Sequence, residues 1–359
     1  MNRDQFFGQL ATFDEERLKK AIWNLYWRGS ATMRERIEAE VDPDQHERRK
    51  RVAKAPRDPE GVLGEVRDFV ALAHSGSYLA GDRRVSPRER TRWRFTFQRL
   101  VTDAQGALGA EDVGAGAAAA EELIDLACEM RNYDYFRSED PVEAARFVVS
   151  DLVALLWTRV RDHCGFAGFA ERAAPQLIRW ESRHGWTRSG SGRVSEQETS
   201  LAGVLAPMLR APDMWAGFAD RYLDALDHAA RADLARSKQT WKRAGWDREQ
   251  RTAALAEWHL LLLNRLVDSA VEDRLDRLTD HPALGGPGLT FLQARLAHHR
   301  GDVNRARGLV HESLQKLPGH QKFLDFATEI GASLPPRAQQ IAEERQMANE
   351  RQRIHPTRL

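Results

Sequence analysis

Residues 287–318 read PGLTFLQARLAHHRGDVNRARGLVHESLQKLP, and this stretch gives the clearest indication of the fold. Apolar residues recur with the 3.6-residue period of an α-helix on both sides of Gly301 and Asp302, which mark a turn. Pro318 ends the pattern. Similar helical periodicity covers almost the whole chain, and the alternating pattern of a β-strand is nearly absent. The sequence therefore predicts an all-α protein.

The same stretch carries a recognisable spacing of small and large residues. Ala294, Ala306 and Ser313 are small where two paired helices would approach closely, and Val310 is large enough to fill the groove between them. This pattern over 287–320 resembles a tetratricopeptide (TPR) repeat, a helix–turn–helix unit of about 34 residues. The resemblance implies a protein-binding scaffold. It also implies neighbouring helix pairs in an irregular α-solenoid, because one repeat cannot bury its own apolar face.

Breaks in the periodicity divide the chain into five predicted segments. They are an N-terminal helical hairpin (1–41), a basic linker (42–59), a central helical domain (60–280), the TPR-like unit (281–334) and a polar C-terminal tail helix (335–359). The linker holds three prolines and the run RRKR at 48–51 without apolar periodicity. This composition indicates a solvated connection, and an anionic partner is the alternative.

Four capping signals predict where helices begin. They are Asp14, the set Ser86, Pro87 and Glu89, the pair Asp140 and Pro141, and the pair Ser195 and Glu198. Each places a side-chain acceptor before an apolar periodic run, and three of them add a proline or an acidic residue in the first turn. The third signal predicts one long helix over 140–163. The fourth predicts a capping box for a helix that runs to about residue 209.

Composition excludes several classes of protein. The chain has 54 basic and 53 acidic residues and a net charge of +1, which argues against a chain-wide electrostatic attachment to nucleic acid or lipid. Its two cysteines provide no disulfide framework and favour a reducing cytoplasm. No apolar run approaches the ~20 residues of a membrane span, so we expect no membrane partner. Abundant arginine and alanine are typical of a GC-rich bacterial genome.

Catalytic signals are weak. The sequence lacks the common phosphate-binding, dinucleotide-binding, zinc-protease and nucleophile-elbow motifs. Asp151 and Glu257 are acids on largely apolar helices, and a buried pair of this kind would support acid–base chemistry. Pairing with arginines of neighbouring helices is the interpretation we favour. Because His298 and His299 are adjacent on a helix, they point in different directions and cannot share one metal ion. We expect no enzymatic activity, no cofactor and no metal.

Arginines interleaved with aromatic residues form two clusters, and such clusters can hold phosphates and stack bases. The first contains Arg88, Arg90, Arg92, Trp93, Arg94, Phe95, Phe97 and Arg99. The second contains Arg179, Trp180, Arg183, His184, Trp186, Arg188 and Arg193. In the first, Trp93, Phe97 and Leu100 have core spacing, which favours a solvated face of arginines. In the second, the spacing of arginine and histidine resembles that of HEPN ribonucleases, although Trp180 stands where those enzymes usually have a polar residue.

The second cluster is the predicted contact site for a partner. It surrounds a Ser/Gly-rich loop at 187–193, and tryptophan and arginine are the residues most enriched at binding hot spots. The predicted function is therefore a non-catalytic scaffold that binds a protein or peptide through all seven residues of this cluster. A nucleic-acid-associated adaptor that uses both clusters is one alternative. An enzyme with an unfamiliar helical site is the other.

Overall fold

The computed structural model describes residues 3–28, 37, 40–41, 58–79, 84–130, 132–188, 192–237, 241–269 and 273–354. Most of the predicted linker, residues 42–57, lies outside this part of the chain. The protein is 80% helical. No β-strand occurs in the described ranges, so the prediction of an all-α fold is confirmed. The chain forms two compact units, Met1–Arg57 and Asp58–Leu359.

Two helices of the first unit have described bounds, and residues 37 and 40–41 are also helical. The two helices are α1 (Arg3–Leu10) and α2 (Glu15–Arg28). The predicted cap at Asp14 is present, because its Oδ1 accepts a hydrogen bond from the amide of Arg17 at 2.7 Å. The first unit therefore starts its longer helix where the sequence predicts it.

The second unit is a succession of helices, and each packs on helices that lie near it in the chain, including some that are not consecutive. The first half contains α3 (Pro59–His74), α4 (Pro87–Ala107), α5 (Val113–Glu129), α6 (Pro141–Ala145), α7 (Val149–Arg188), α8 (Arg193–Gln197), α9 (Leu201–Leu205) and a 3₁₀ turn (Ala206–Met208). The second half contains α10 (Pro212–Ser237), α11 (Trp241–Asp268), α12 (Asp273–Thr279), α13 (Gly286–His299), α14 (Val303–Lys316), α15 (Gln321–Glu329) and α16 (Pro336–Ile354). Helix α5 packs on α3, α4 and α7. In turn α7 packs on α10 and α11, α11 on α13, and α13 on α14.

The main core extends from α3 to α13 and is built from large aromatic residues between small ones. Trp157, Trp258 and Tyr222 are among its largest fully buried side chains. Helix α5 is rich in alanine, so its neighbours approach closely. At Gly116 a Cβ would lie 2.6 Å from the carbonyl carbon of Ala107, so only glycine fits there.

The C-terminal helices α13–α16 share a second, smaller core. Ala294 and Ala306 are fully buried between α13 and α14, as the spacing of small residues predicts. Gly301 has a φ of +82° in the turn, and the Asp302 side chain accepts from the amide of Arg305 at 3.0 Å. This is a tightly packed helix–turn–helix pair. Its membership of the TPR family stays a prediction.

Of the capping signals, the set at Ser86 is confirmed in full. Ser86 Oγ accepts from the Glu89 amide at 3.3 Å, and Glu89 Oε2 accepts from the Ser86 amide at 2.9 Å. The single long helix predicted over 140–163 is wrong. Helix α6 ends at Ala145, the following Arg146 has a φ of +50°, and α7 begins at Val149. The break turns Phe147 into the core, where its ring meets that of Phe97 edge-on at 5.1 Å.

The capping box predicted for Ser195 and Glu198 is also wrong. Helix α8 ends at Gln197, and Glu198 instead reaches the start of α7, where its carboxylate accepts from the amides of Val149 at 2.6 Å and Ser150 at 3.0 Å. Ser200 provides the next local cap, at the start of α9. The single predicted helix to residue 209 is therefore two short helices and a 3₁₀ turn.

Candidate functional site

Helix α7 is irregular at two positions, and its second half carries the candidate binding surface. Gly165 has φ 69° and ψ −177°, a conformation outside the helical region, and it kinks the helix there. Pro175 lies inside the helix ten residues later. Because proline has no N–H, the carbonyl of Glu171 lacks the donor that it would have in a regular helix. The exposed side of α7 between Glu171 and Arg179 is thus a ridge with an altered backbone hydrogen-bond pattern.

An open groove of about 460 Å³ lies on one side of this ridge, between α5 and α7. We call it the first groove. Its lining residues are Gly114, Ala118, Glu121, Glu171, Arg172, Pro175, Gln176 and Arg179. Small residues of α5 provide one wall, and charged residues of α7 provide the other.

A buried amide connects the floor of the first groove to the core. Gln176 Oε1 accepts a hydrogen bond from Trp157 Nε1 at 2.8 Å, and Gln176 Nε2 donates to Glu121 Oε1 at 2.7 Å. Burial raises the pKa of the Glu121 carboxyl, and the nearby Arg179 and Arg172 only partly offset this effect. Glu121 is therefore held in one orientation beside two cations.

The predicted site residues Arg179 and Trp180 differ in burial, although both contact Asp125 of α5. Trp180 is fully buried, and its Nε1 donates to Asp125 Oδ1 at 2.8 Å. Its place in the predicted contact set is a correction, because a core side chain cannot touch a partner. Arg179 is half-exposed at the first groove and pairs with Asp125 Oδ2 at 3.1 Å. Its guanidinium carbon lies 5.3 Å from the Trp180 ring centroid.

The other predicted site residues belong to the last turns of α7, except Arg193, which starts α8. The helix continues to Arg188, whereas the sequence predicts a loop from residue 187. The side chains of Arg183, His184, Trp186 and Arg188 lie outside the described part of the chain. Arg193 is exposed at the start of α8, and its amide donates to Glu143 Oε1 at 3.1 Å.

A second groove of about 540 Å³ lies on the other side of the ridge, between α7 and α10. Its lining residues are Glu171, Pro175, Arg221, Asp224, Ala225, Asp227, His228 and Arg231. Arg221 donates to Asp224 at 3.4 Å, and Asp227 lies between Arg277 and His281 at 3.2 and 3.1 Å. Both grooves carry cations and anions in similar number, which suits a partner of mixed charge better than a polyanion.

Residues of the first basic-aromatic cluster lie on a buried and an exposed side of α4, as their spacing predicts. Trp93 and Phe97 are buried, whereas Arg92 and Arg94 are exposed. Arg99 pairs with Glu65 and Asp103 at 2.8 and 2.9 Å, so one of these arginines is committed to carboxylates of the protein. Arg88, Arg92 and Arg94 are thus exposed, whereas Arg90 is half-buried, and Phe95 is the aromatic residue of the cluster that is exposed.

Asp151 and Glu257 do not form a buried pair, because both side chains are exposed. Asp151 lies in the first turn of α7, where a carboxylate is favourable to the helix dipole. Glu257 Oε1 accepts from Ser200 Oγ at 2.5 Å, and the same hydroxyl caps α9 by accepting from the amide of Gly203 at 3.0 Å. Glu257 therefore orients a helix cap.

Buried histidines were missed by sequence reasoning. His259 is fully buried, its Nε2 donates to the carbonyl of Leu278 at 3.0 Å, and its Nδ1 lies 3.4 Å from the Tyr222 hydroxyl. Burial lowers the pKa of His259 to about 4. His281 is also buried, and burial lowers its pKa too. His259 therefore has polar partners inside the core, and His281 pairs with Asp227 at 3.1 Å.

Among the described residues, no group of three or more His, Cys, Asp or Glu side chains is arranged to hold a metal ion. His299 Nε2 lies 2.9 Å from Asp268 Oδ1, and the ring of His298 meets that of Phe326 edge-on. The two adjacent histidines therefore have separate partners, as their helical spacing predicts.

No protein-family model, no curated protein and no solved structure matches the chain. The described helices include none that combines the length and apolar content needed to cross a bilayer. The chain is thus an all-α protein whose candidate site consists of two open grooves of mixed charge on either side of one ridge.

Proposed function

We propose that this chain is a cytoplasmic, non-catalytic scaffold that binds a peptide segment of another protein across the ridge of α7. The observation that carries the proposal is the pair of grooves that share Glu171 and Pro175. A peptide laid across this ridge would contact α5, α7 and α10 together. Each groove has the volume of a small-molecule site, and the two together suit a longer ligand.

The order of packing supports an irregular α-solenoid ending in a TPR-like unit. Helices contact mainly those close to them in the chain, from α3 through α14, and helix-repeat scaffolds are built in this way. Such an array presents side chains of several helices on one continuous face. In this proposal, the α13–α14 pair and its small core form the terminal unit of the array.

The chemistry of the ridge supports a polypeptide ligand. Arg172 is exposed beside Glu171, so acidic and basic side chains of a peptide would both find partners. The carbonyl of Glu171, without its helical donor, would accept from a peptide N–H. A nucleic-acid strand would instead meet the carboxylates Glu121, Glu171 and Asp224 along the same path, which opposes a polyanion.

The test compares capture by variants of the intact protein. In the groove variant, Arg172→Glu and Arg221→Glu reverse one cation in each groove. In the control variant, Arg159→Glu and Arg210→Glu make the same charge change at exposed positions that line neither groove. Partners captured from the native host should be retained by the wild type and the control and lost by the groove variant.

A third variant separates the ridge from the predicted loop site. If the partner binds at the ridge, replacing Arg183, Arg188 and Arg193 by alanine should leave capture intact. Loss of the partner in this variant alone would move the site to the loop. A steep logarithmic fall of affinity with salt would point to phosphate contacts and would contradict a peptide ligand.

A further inference from the structure

A third cavity lies apart from the α7 ridge, where the start of α4 meets the segment after α3 and the loop before α6. It has a volume of about 440 Å³. Its walls include Tyr78, Pro87, Arg90, Trp93, Arg94 and Arg137. None of its lining residues belongs to either groove. We call it the arginine cavity.

Stacked aromatic rings make the floor of the arginine cavity rigid. Trp93 is buried and stacks on Phe136 with ring centroids 4.0 Å apart and an interplanar angle of 18°. Tyr78 packs on Phe136 and Phe69, each at 5.2 Å. Rings that are fixed from behind keep their positions when a ligand enters, so binding requires little reorganisation.

Tyr78 brings a hydroxyl to this cavity. Its side chain is only 6% exposed, and no hydrogen bond to its hydroxyl is present among the described residues. Burial, followed by the charge of Glu89, raises the pKa of Tyr78 to about 12, so the phenol keeps its proton at neutral pH. The Tyr78 hydroxyl is not among the buried polar atoms without a partner, so it can donate to a ligand oxygen in the cavity.

Positive charge dominates the walls of the arginine cavity. Arg90, Arg94 and Arg137 line it, and planar guanidinium groups match the oxygens of phosphate in pairs. The neighbouring acid Glu89 is engaged, since its Oε2 accepts from the Ser86 amide in the capping box of α4. Among the described lining residues, Arg94, Arg137 and the Tyr78 phenol therefore face the cavity, and Arg90 adds positive charge to its wall.

The cavity is too large for an inorganic anion alone. A volume of about 440 Å³ lies within the range of sites for small organic ligands, roughly 300–1,000 Å³. Trp93, Pro87 and the aliphatic Leu79 supply apolar surface beside the cations. This combination suits a flat apolar body attached to a dianion, since a guanidinium plane stacks on a ring system and Pro87 and Leu79 provide an apolar surface beside it.

We propose that the arginine cavity binds a small organic phosphate monoester with a planar ring, of the mononucleotide class. The phosphate lies among the arginines and accepts a hydrogen bond from Tyr78, and the ring lies against the apolar wall. This site goes beyond the scaffold function, because it is separate from the α7 ridge. It gives the protein a means to respond to a small phosphorylated molecule.

Isothermal titration calorimetry of the full chain tests the proposal, with adenosine 5′-monophosphate as the probe. Adenosine and inorganic phosphate each supply one half of the ligand and should bind at least about tenfold more weakly. Tyr78→Phe keeps the ring and removes the hydroxyl. It should weaken binding of the monophosphate about tenfold or more, the usual effect of losing a hydrogen bond to a charged group.

A matched pair of arginine variants supplies the control. Arg94→Ala, which removes a cation from the cavity wall, should weaken binding at least tenfold, whereas Arg92→Ala, exposed on the same helix but outside the cavity, should leave it unchanged. Circular dichroism checks that each variant is folded. Absence of binding by the wild type, equal binding of phosphate and monophosphate, or equal effects of Arg94→Ala and Arg92→Ala would each overturn the proposal.

Discussion

At the residue scale, single carboxylates cap helices that are far away in the chain. Glu198 accepts from two amides at the start of α7, and Glu143 accepts from the amides of Arg193 and Val194 at the start of α8. The buried Glu181 accepts from the amide of Leu201 at the start of α9. An ionised acceptor at a helix start satisfies free N–H groups and is favoured by the helix dipole.

Glu198→Ala should therefore lower the free energy of unfolding by about 1–2 kcal/mol, the usual cost of losing a helix cap. Urea denaturation followed by circular dichroism measures the change. Glu196→Ala, an exposed glutamate two residues earlier, is the control and should change stability by less than about 0.5 kcal/mol. Equal effects of the two substitutions would mean that the cap contributes no stability.

Protonation of His259 should destabilise the fold at acid pH. Its folded pKa of about 4 lies below the unfolded value of about 6.5, so the unfolded chain binds more protons between these values. Stability should then fall as the pH is lowered from about 6.5 to about 4. His259→Gln should weaken this pH dependence, and the exposed control His228→Gln should preserve it. Urea midpoints across this pH range provide the measurement.

At the element scale, the kink of α7 depends on one backbone conformation. Gly165→Ala should destabilise the protein by about 1–3 kcal/mol, because φ 69° with ψ −177° is a conformation that is essentially restricted to glycine. Gly64→Ala is the matched control. Gly64 lies in the middle of α3 with no atom within 4 Å of an added Cβ, so the same change should stabilise by about 0.5–1 kcal/mol. In thermal unfolding, Gly165→Ala should lower the melting temperature and Gly64→Ala should raise it.

The pairing of α13 and α14 depends on small residues at their contact. Ala306→Leu should destabilise the C-terminal helices by about 1–3 kcal/mol, because Ala306 is fully buried and added methyl groups have no space. Asn304→Leu introduces the same side chain at an exposed position of α14 and serves as the control. Hydrogen exchange of α13–α16 measures the local loss of protection. Unchanged exchange in Ala306→Leu would contradict the assigned interface.

An element could be predicted from the sequence when the residues that fix it lie close together in the chain. The helix start at Ser86 was predictable, because the cap and its partner Glu89 are three residues apart. The role of Glu198 was not, because its partners are the amides of Val149 and Ser150 about fifty residues away. The end of α6 at Ala145 follows from the burial of Phe147, which depends on the tertiary fold.

At the scale of the whole molecule, the candidate site also depends on contacts between residues that are far apart in the chain, and the sequence does not reveal such contacts. Arg179 was predictable as an exposed arginine in a charged segment, but the burial of Trp180 depends on Asp125 of α5. The grooves combine residues of α5, α7 and α10, which are far apart in the chain, so no local pattern indicates them. Pro175, a proline inside a helical pattern, was the one local signal of an irregular ridge.

The second unit should fold without the first. Both hydrophobic cores consist of residues from 62 to 338, so a protein of residues 58–359 should retain cooperative unfolding and its helix content. Deletion of residues 1–86 also removes α3, including the buried Val66 and Phe69, and should abolish cooperative unfolding. Far-UV circular dichroism during heating compares the two truncations. A non-cooperative transition for 58–359 would show that the first unit is required.

The carboxylates that cap distant helices also affect the order in which the helices in the middle of the chain can form during folding. The bonds from Glu143 and Glu198 join residues 48 to 51 positions apart, so each one closes a long loop before it gains any hydrogen-bond energy. Such contacts raise contact order and slow folding. While the ribosome is still synthesising the chain, the amides of Val149 and Ser150 lack their Glu198 acceptor until residue 198 has emerged. The start of α7 therefore depends on a segment that is made after the whole of that helix.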